Sequence, residues 1–440
     1  MNRREYFQNT AFVRDGLLER SAAAIVYILV FRYIYIYYLY KDWEYFGYTL
    51  PAHSFFYTIL AILISFLPIL FYRGLRSVSS YFSILIYVFG YVPIILTLTF
   101  TSRNGSFSQL VFQFFFMLGM ISFFLVDALG TQRIKAINVT NKIPFLAVHI
   151  ITAFFTIYLV VLFFNRMALV GFDKIYELRF RNQALSNSGM VGYLILWLSY
   201  CFYPLYFIIG IFTKKKMYIF LGLLGCVFLY AISGSKATLL NPLIITSFYL
   251  LMKLKTRFSF FQLIVIAITG LTALTFIFGG FMPIVGPLFF MRTLSMPGLL
   301  ASQYITFFSN HPHTYYSHIN FIGKLFDNYP YGTKPLGRVI GNFFYGNDLN
   351  ANANFWVTDG VAAMGVPGVI LISLLMVIFL LFLKIFFKEE NRIFQFMVFT
   401  SAIMTMLNVS FFTTLLSGGL FFLILILKFV KIPDFRVSDS

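Results

Sequence analysis

Charge is scarce in this sequence. Only 11% of the 440 residues are Asp, Glu, Lys or Arg, against roughly a quarter in an average soluble domain. Apolar residues make up 60% of the chain. A soluble chain of this length would form about three domains. So few charged residues cannot cover the surfaces of that many domains. A soluble globular protein is therefore excluded.

Cysteine and cofactor-binding motifs are scarce as well. The two cysteines, Cys201 and Cys226, lie inside apolar runs, so the sequence offers neither a disulfide framework nor a zinc site. It contains no nucleotide-binding loop, no His-Glu-x-x-His and no Cys-x-x-Cys. We therefore expect no cofactor and no metal, and no nucleotide hydrolysis by this chain itself.

The apolar residues come in blocks of about 20, the length that a helix needs to cross a bilayer. We predict an all-α polytopic membrane protein, in which residues 1–440 form a single integral membrane domain. The twelve predicted spans are residues 21–40, 51–72, 80–100, 108–129, 143–164, 189–212, 217–232, 237–252, 258–280, 359–383, 393–412 and 415–430.

Basic residues outnumber acidic ones by 33 to 15, which gives a net charge of +18. In a soluble protein this would suggest a nucleic acid partner, but in a membrane protein the positive-inside rule comes first. With the N-terminus in the cytoplasm, the predicted inner segments hold 21 Lys and Arg, including those of the tails 1–20 and 431–440. We predict that both termini are cytoplasmic and that the chain binds no nucleic acid.

Two predicted outer loops are long. They cover residues 165–188 and 281–358, and the larger one includes segments such as 298–309 with the composition of short helices at the membrane surface. Such loops are uncommon unless they are disordered or functional. The larger loop is rich in Phe, Tyr, Pro and Gly, which argues against disorder. We expect the function on this side of the membrane.

Lys236 lies at an outer turn, in SGSKATLL, between two apolar runs of about 16 residues. One interpretation is a lysine that extends to the membrane interface. The other is an anion site, in which Lys236 and the unpaired backbone N–H groups of Ala237 and Thr238 face a phosphate. We favour the anion site, which gives Lys236 a catalytic role.

Four outer arginines could bind an anionic substrate. Arg292 and Arg338 lie where a membrane-anchored phosphate is expected, and a guanidinium can hold two phosphate oxygens at once. We predict a catalytic role for both. Arg179 and Arg181, in YELRFRNQ, are predicted to bind substrate, and a solvated basic face paired with Glu177 is the alternative.

Three of the five histidines, His311, His313 and His318, fall in NHPHTYYSHIN. Three imidazoles within eight residues could converge on a metal. The stretch has no Asp or Glu, however, and Pro312 fixes the chain between two of them. We favour substrate binding by hydrogen bonds, or acid–base help.

Asp359 stands at the entry to the tenth predicted span, in FWVTDGVAAMGVPGVIL. An ionisable residue at such a place is costly unless it is paired or functional. The carboxylate could take a proton from an attacking hydroxyl. It could equally cap a helix that begins at Gly360, and the two roles are compatible.

Three segments stand out together with the overall plan of about twelve spans and a large late outer loop. They are SGSKATLLNPLI at 233–244, RTLSMPGLLASQYITFFSNHP at 292–312 and NANFWVTDGVAAMGVPGVI at 352–370. In this order they resemble the bacterial oligosaccharide repeat-unit polymerases, which build O-antigen and capsular polysaccharide. The resemblance covers about 50 residues at the level of motifs.

The resemblance implies a fold like the C-type glycosyltransferases and metal-independent glycosyl transfer on the outer face of the bacterial cytoplasmic membrane. The donor would be a glycan on undecaprenyl diphosphate, and the sequence has no Asp-x-Asp pair to hold a metal for a nucleotide-sugar donor. Lys236, Arg292 and Arg338 would stabilise the departing diphosphate. A chain-length regulator and a flippase are the implied partners, besides the bilayer.

The resemblance also implies residues that contact sugars. Tyr304 and Trp356, like Tyr315 and Tyr316, would stack on sugar rings, with anchoring at the membrane interface as the alternative. Asn352 and Asn354 lie where the related O-antigen ligases have a His, and we predict that Asn354 binds substrate.

Two other functions stay open. The ligase would join glycan to an acceptor on the cell surface, and the missing His counts against it. A flippase or transporter would show charged or broken helices near the midplane and internal repeats, whereas only Arg32 lies well inside a predicted span.

Overall fold

The computed structural model describes residues 16–51, 55–101, 107–129, 142–186, 189–319, 323, 328–346, 349–387 and 391–433. Most of the predicted cytoplasmic tails, 1–20 and 431–440, lies outside the described residues. The same holds for residues 187–188 of the smaller predicted loop and for 320–322, 324–327 and 347–348 of the larger one.

The described chain is almost entirely helical. Its helices are α1 (Leu17–Phe46), α2 (Phe55–Phe71), α3 (Val78–Thr101), α4 (Phe107–Ala128), α5 (Leu146–Phe163), α6 (Ile175–Ser186), α7 (Gly189–Thr213), α8 (Lys216–Ser233), α9 (Lys236–Lys253), α10 (Phe260–Phe278), α11 (Met282–Phe308), α12 (Leu336–Tyr345), α13 (Trp356–Val361 continued by Ala362–Met364), α14 (Val366–Phe386), α15 (Arg392–Met406), α16 (Phe411–Leu416) and α17 (Leu420–Phe429). Two short strands, β1 (Ile143–Pro144) and β2 (Val430–Lys431), pair in parallel.

Within the described residues, nine helices are long and apolar enough to cross a membrane: α1, α3, α4, α5, α7, α8, α10, α11 and α14. Three further apolar helices, α2, α15 and α17, are shorter. Helices suit a bilayer because each satisfies its own backbone hydrogen bonds. The predicted all-α, multi-pass membrane protein is confirmed at this level, while twelve spans and a glycosyltransferase-like fold stay predictions.

Helix α11 differs from the prediction. It begins the region 281–358, predicted to be an outer loop with short helices, yet it is one helix of 27 residues. Prolines at 283, 287 and 297 suggest breaks in the sequence, but each lies in the first turn of a helical piece. In the continuous helix only Pro283 lies in the first turn, where an N–H has no intrahelical partner. Pro287 and Pro297 lie at the two ends of the wide turns of Gly286–Ser295, where the regular α-helical hydrogen bonding is interrupted.

The described chain divides into two compact units. The first consists of residues up to 136, 251–389 and 406–411. The second consists of residues 137–250, 390–405 and those from 412 onward. Each unit is therefore assembled from stretches that are far apart in the sequence.

Helix α3 lies at the centre of the first unit. Nearly all of its side chains are buried, and α11 packs along it. Gly298 permits this close approach, because a Cβ there would lie 2.4 Å from the carbonyl oxygen of Pro93 and 2.6 Å from Thr97 Oγ1. The Pro-Gly of the segment 292–312 therefore has a role in packing.

In the second unit, α7 and α8 pack side by side, and α6 lies against the end of α8. Asn182 Nδ2, on α6, donates to the carbonyl oxygen of Ile232 at 2.8 Å. The strand pair places Ile143 opposite Val430 and so joins the start of α5 to the end of α17.

Candidate functional site

Asp359 lies at a break between two helices of the first unit. Helix α13 has wide π-type turns over Trp356–Val361 and ends at Met364, and α14 begins at Val366. Gly365 separates them with a φ of +65°, a backbone conformation that favours glycine. The Asp359 side chain is 0% exposed, so the carboxylate is enclosed by the unit.

The carboxylate of Asp359 does not cap a helix that begins at Gly360, because Asp359 is itself within the wide turns of α13. Its Oδ2 accepts a hydrogen bond from the backbone N–H of Phe411 at 2.6 Å. Its Oδ1 has no hydrogen-bond partner among the described residues. A buried carboxylate oxygen without a partner costs stability, which makes Oδ1 a candidate for function.

The imidazole of His318 faces this oxygen. His318 Nε2 lies 3.5 Å from Asp359 Oδ1, and the His318 side chain is 5% exposed. At the other side of the ring, His318 Nδ1 and the hydroxyl of Thr314 form a hydrogen bond of 2.7 Å. An imidazole and a carboxylate so arranged can accept a proton and pass it on, while the hydroxyl holds the ring in place.

Backbone hydrogen bonds fix the histidine-containing segment to α13. The N–H groups of Thr314 and Tyr315 donate to the carbonyl oxygens of Ala362 and Ala363, both at 2.9 Å. Tyr315 and Tyr316 have φ angles of +46° and +64°, which are uncommon for residues other than glycine. Backbone strain of this kind is concentrated at functional sites.

Tyr316 adds a phenol to the same cluster. Burial raises the pKa of Tyr316 to about 12, with the negative charge of Asp359 as a second cause. The Tyr316 ring is stacked on His318 with 6.3 Å between centroids. The phenol is therefore neutral at physiological pH. We call Thr314, Tyr316, His318 and Asp359 the Asp–His cluster.

The two arginines predicted to bind phosphate lie on different helices of the first unit. Arg292 is in the wide turns of α11 and is exposed, and Arg338 is in the first turn of α12 and half-buried. Neither guanidinium has a hydrogen bond or an ion pair to another described residue. Both positive charges are therefore available to a ligand.

Lys236 belongs to the second unit, at the turn between α8 and α9. Its Nζ lies 4.8 Å from the ring centroid of Phe172. The backbone N–H of Thr238, predicted to face an anion, donates to Ser235 Oγ at 3.3 Å. The turn thus offers an anion the charge of the lysine, but the N–H of Thr238 is already used.

Arg179 and Arg181, also in the second unit, hold backbone carbonyl groups. Arg179 Nε and Nη2 donate to the carbonyl oxygen of Gly234, which follows α8, at 3.2 and 2.8 Å. Positive charge is favourable at this end of a helix. Arg181 Nη2 donates to the carbonyl oxygen of Arg166 at 2.8 Å. Both contacts are structural, and a role of either arginine in binding substrate stays a prediction.

Three predicted substrate-binding residues lie in the core of the first unit. Tyr304 is 1% exposed, and its hydroxyl donates to the carbonyl oxygen of Ala351 at 2.9 Å. Trp356 is 0% exposed, and its indole N–H donates to a serine hydroxyl of α14 at 3.0 Å. Asn354 is 1% exposed and accepts from the N–H of Val357 at 3.2 Å. The Nδ2 of Asn354 has no partner among the described residues. The observed contacts of all three residues are structural, and their roles in binding substrate stay predictions.

The three clustered histidines have separate surroundings. His311 stacks on Phe307 with 4.0 Å between centroids, and His313 stacks on Phe308 at 5.5 Å. Only His318 belongs to the Asp–His cluster. In the described part of the chain, no group of three His, Cys, Asp or Glu side chains could hold a metal ion.

Two members of the site were not predicted. Thr314 lies four residues before His318, and this spacing allows contact within a tight turn, so a signal was present. Phe411 lies 52 residues from Asp359 and contributes only its backbone N–H to the site. Because every residue except proline has this N–H, the sequence gives no signal for it.

Comparisons of the chain with protein-family models, with curated proteins and with solved structures found no match. Function has to be inferred from the site itself and from the sequence motifs.

Proposed function

We propose that this protein is a glycosyltransferase that polymerises oligosaccharide repeat units linked to undecaprenyl diphosphate, for O-antigen or capsule, on the outer face of the bacterial cytoplasmic membrane. The motifs of the sequence suggest the substrate class. The observation that carries the reaction type is the buried carboxylate of Asp359, with one oxygen held by a backbone N–H and the other facing His318.

The proposed step is a displacement at the anomeric carbon of the donor. The hydroxyl oxygen of the acceptor's terminal sugar bonds to that carbon, and the bond from the carbon to the diphosphate oxygen breaks. The hydroxyl proton passes to the Asp–His cluster, and the lipid diphosphate leaves with the bonding electrons. Fixed cations stabilise this developing charge, a role we propose for Arg292 and Arg338 of the first unit, while the catalytic role of Lys236 stays a prediction.

Access to the base is restricted in the described conformation. Asp359 is 0% exposed and His318 is 5% exposed, so an acceptor hydroxyl cannot touch the carboxylate directly. We propose that the proton reaches Asp359 through the imidazole, or that the strained segment at Tyr315 and Tyr316 shifts to admit the acceptor. Only the first route makes His318 necessary.

A second candidate function is proton-coupled transport of the lipid-linked oligosaccharide. It is favoured by the same buried carboxylate–imidazole pair at a helix break, because broken helices and intramembrane ionisable residues also occur in transporters and proton relays. The ligase reaction is a third, less favoured alternative, since it would use the same displacement with a different acceptor.

Deletion of the gene in its native host, with complementation in trans, tests these functions. The surface glycan is separated on a gel and the lipid-linked intermediates are analysed. A polymerase predicts loss of the ladder while single repeat units still reach the surface acceptor. Lipid-linked polymer with an unmodified acceptor would indicate the ligase. Single lipid-linked units confined to the cytoplasmic face would indicate the transporter and contradict our proposal.

A further inference from the structure

A second polar cluster lies in the first unit, where α11 and α12 meet the end of α1. Gln303 Nε2 donates a hydrogen bond to the hydroxyl of Tyr345 at 2.6 Å. The Tyr345 hydroxyl donates in turn to the carbonyl oxygen of Phe46 at 3.3 Å, and the two rings lie 4.6 Å apart. Three separate elements thus fix these side chains.

The directions of these hydrogen bonds identify the free atom. The Phe46 carbonyl oxygen can only accept, so the single hydroxyl hydrogen of Tyr345 is used there, and the Tyr345 oxygen accepts from the Gln303 amide. The side-chain oxygen of Gln303 then has no partner among the described residues, although the residue is only 6% exposed. It is a buried acceptor that lacks a donor, which native structures rarely leave without a reason.

Arg292 lies on the same helix as Gln303, three residues before Ser295. Burial raises the pKa of Tyr345 to about 12, while the Gln303 hydrogen bond and the charge of Arg292 oppose this rise. Burial likewise raises the pKa of Tyr48, whose hydroxyl is hydrogen-bonded to Ser295 at 2.7 Å, and Arg292 again opposes the rise. We call Arg292, Gln303 and Tyr345 the Gln–Arg site.

We infer that the Gln–Arg site binds a sugar that carries a phosphate at its reducing end. Arg292 attracts the phosphate, the side-chain oxygen of Gln303 accepts a hydrogen from a hydroxyl or acetamido group of the first sugar, and Tyr345 holds the amide in position. One ligand that is both anionic and a hydrogen-bond donor satisfies the charge and the unpaired oxygen together. The identification of this ligand as the lipid-linked donor rests on the proposed function.

Direct binding by the purified full-length protein in lipid nanodiscs tests this inference. The probes are the lipid-linked repeat unit extracted from the deletion strain, undecaprenyl diphosphate without sugar, the glycan released by mild acid, and soluble glucose 1-phosphate. The variants are Gln303→Met, Gln303→Glu and Arg292→Gln. Gln113→Met is the matched control, because Gln113 is equally buried and bonds the carbonyl oxygen of Ile95 at 3.1 Å.

Gln303→Met should weaken binding of the lipid-linked unit about tenfold and leave binding of bare undecaprenyl diphosphate unchanged. Arg292→Gln should weaken both. Gln303→Glu keeps the side-chain size but adds negative charge, and it should also weaken both. The control should bind all probes like the wild type. Thermal unfolding of each variant identifies any that fails to fold.

Two results would overturn the inference: equal binding of the lipid-linked unit by Gln303→Met and the wild type, or no preference of the wild type for the sugar-bearing lipid. Gln303-dependent binding of glucose 1-phosphate at the same strength would support the site and identify its ligand as a soluble sugar phosphate. All binding is measured in the Asp359→Asn background, in which the proposed reaction is blocked. Failure here is therefore distinct from an intact ladder in the deletion strain, which would contradict the proposed function instead.

Discussion

The backbone N–H of Phe411 is hydrogen-bonded to the carboxylate Oδ2 of Asp359 at 2.6 Å, across 52 residues of sequence. This bond orients the carboxylate without using a second side chain. It leaves Oδ1 as the oxygen that can exchange a proton, and His318 Nε2 lies 3.5 Å from it. The acid–base chemistry of the site therefore depends on one atom, which can be tested with few substitutions.

Asp359→Asn should abolish most activity while the protein remains folded. The Asn oxygen can still accept from the Phe411 N–H, but the side chain can no longer take up a proton. General-base catalysis contributes about 10²- to 10⁴-fold, so we expect a loss of at least about 10²-fold. Turnover of extracted lipid-linked repeat units by the purified variant measures it.

Asp127→Asn is the matched control for that variant. The Asp127 carboxylate accepts from the hydroxyls of Ser77 and Ser79 at 2.7 and 2.8 Å, so it has a structural hydrogen-bonding role within the same unit. We expect nearly normal turnover with a slightly lower melting temperature. Equal losses of turnover in both variants would mean that the change of any hydrogen-bonded carboxylate in this unit inactivates the protein, and the proposed role of Asp359 as the base would be wrong.

Thr314→Val should lower kcat by about tenfold and leave KM nearly unchanged, because it removes the hydroxyl that holds His318 without changing the side-chain volume much. Thr314→Ser keeps the hydroxyl and should restore most of the rate. Steady-state kinetics on the lipid-linked unit would show this split. If the serine variant were as slow as the valine variant, the hydrogen bond between Thr314 and His318 would not matter for the rate.

Tyr304→Phe should affect stability rather than substrate binding. The Tyr304 hydroxyl bonds the carbonyl oxygen of Ala351 in the core, and the loss of such a bond costs about 1 kcal/mol. The variant should unfold at a lower temperature with an unchanged KM. A raised KM with unchanged melting would instead restore the sugar-stacking role that burial argues against.

Gly298→Ala should destabilise the first unit by about 1–3 kcal/mol, because the added methyl group overpacks the contact between α11 and α3. Gly270→Ala, on α10, is the control, since a Cβ there meets nothing within 4 Å. It should be neutral or stabilise its helix by up to about 1 kcal/mol. Thermal unfolding of the purified variants in detergent compares the two directly. Equal melting temperatures would show that the helices can move apart without cost.

Sequence reasoning predicted the helical membrane architecture and named three members of the Asp–His cluster, Tyr316, His318 and Asp359. The contact between His318 and Asp359 was not predicted, because it depends on the turn at Tyr315 and Tyr316, which places His318 next to α13. Apolar composition predicts helices well because the bilayer permits little else. Composition does not predict whether an aromatic ring lies in the core or at a binding surface. Tyr304 and Trp356 are of residue types that stack on sugars, but both lie in the core.

Helix α11 shows a second limit. Its prolines and Arg292 resemble features of a loop, and the wide turns over Gly286–Ser295 accommodate Pro287 and Pro297 within a continuous helix. Sequence patterns for helix ends cannot show whether a helix ends at a proline or continues through it by wide turns. The unpaired side-chain oxygen of Gln303 could not be predicted either. It follows from hydrogen bonds between three helices that are distant in the sequence.

The pairing of β1 with β2 has a consequence for biogenesis. Ile143 leaves the ribosome long before its partner Val430, and the intervening residues 251–389 belong to the first unit. At roughly 5–20 residues per second, translation of that stretch takes on the order of ten seconds. During that interval the early helices of the second unit have been made, but the late segment that carries their partner strand has not.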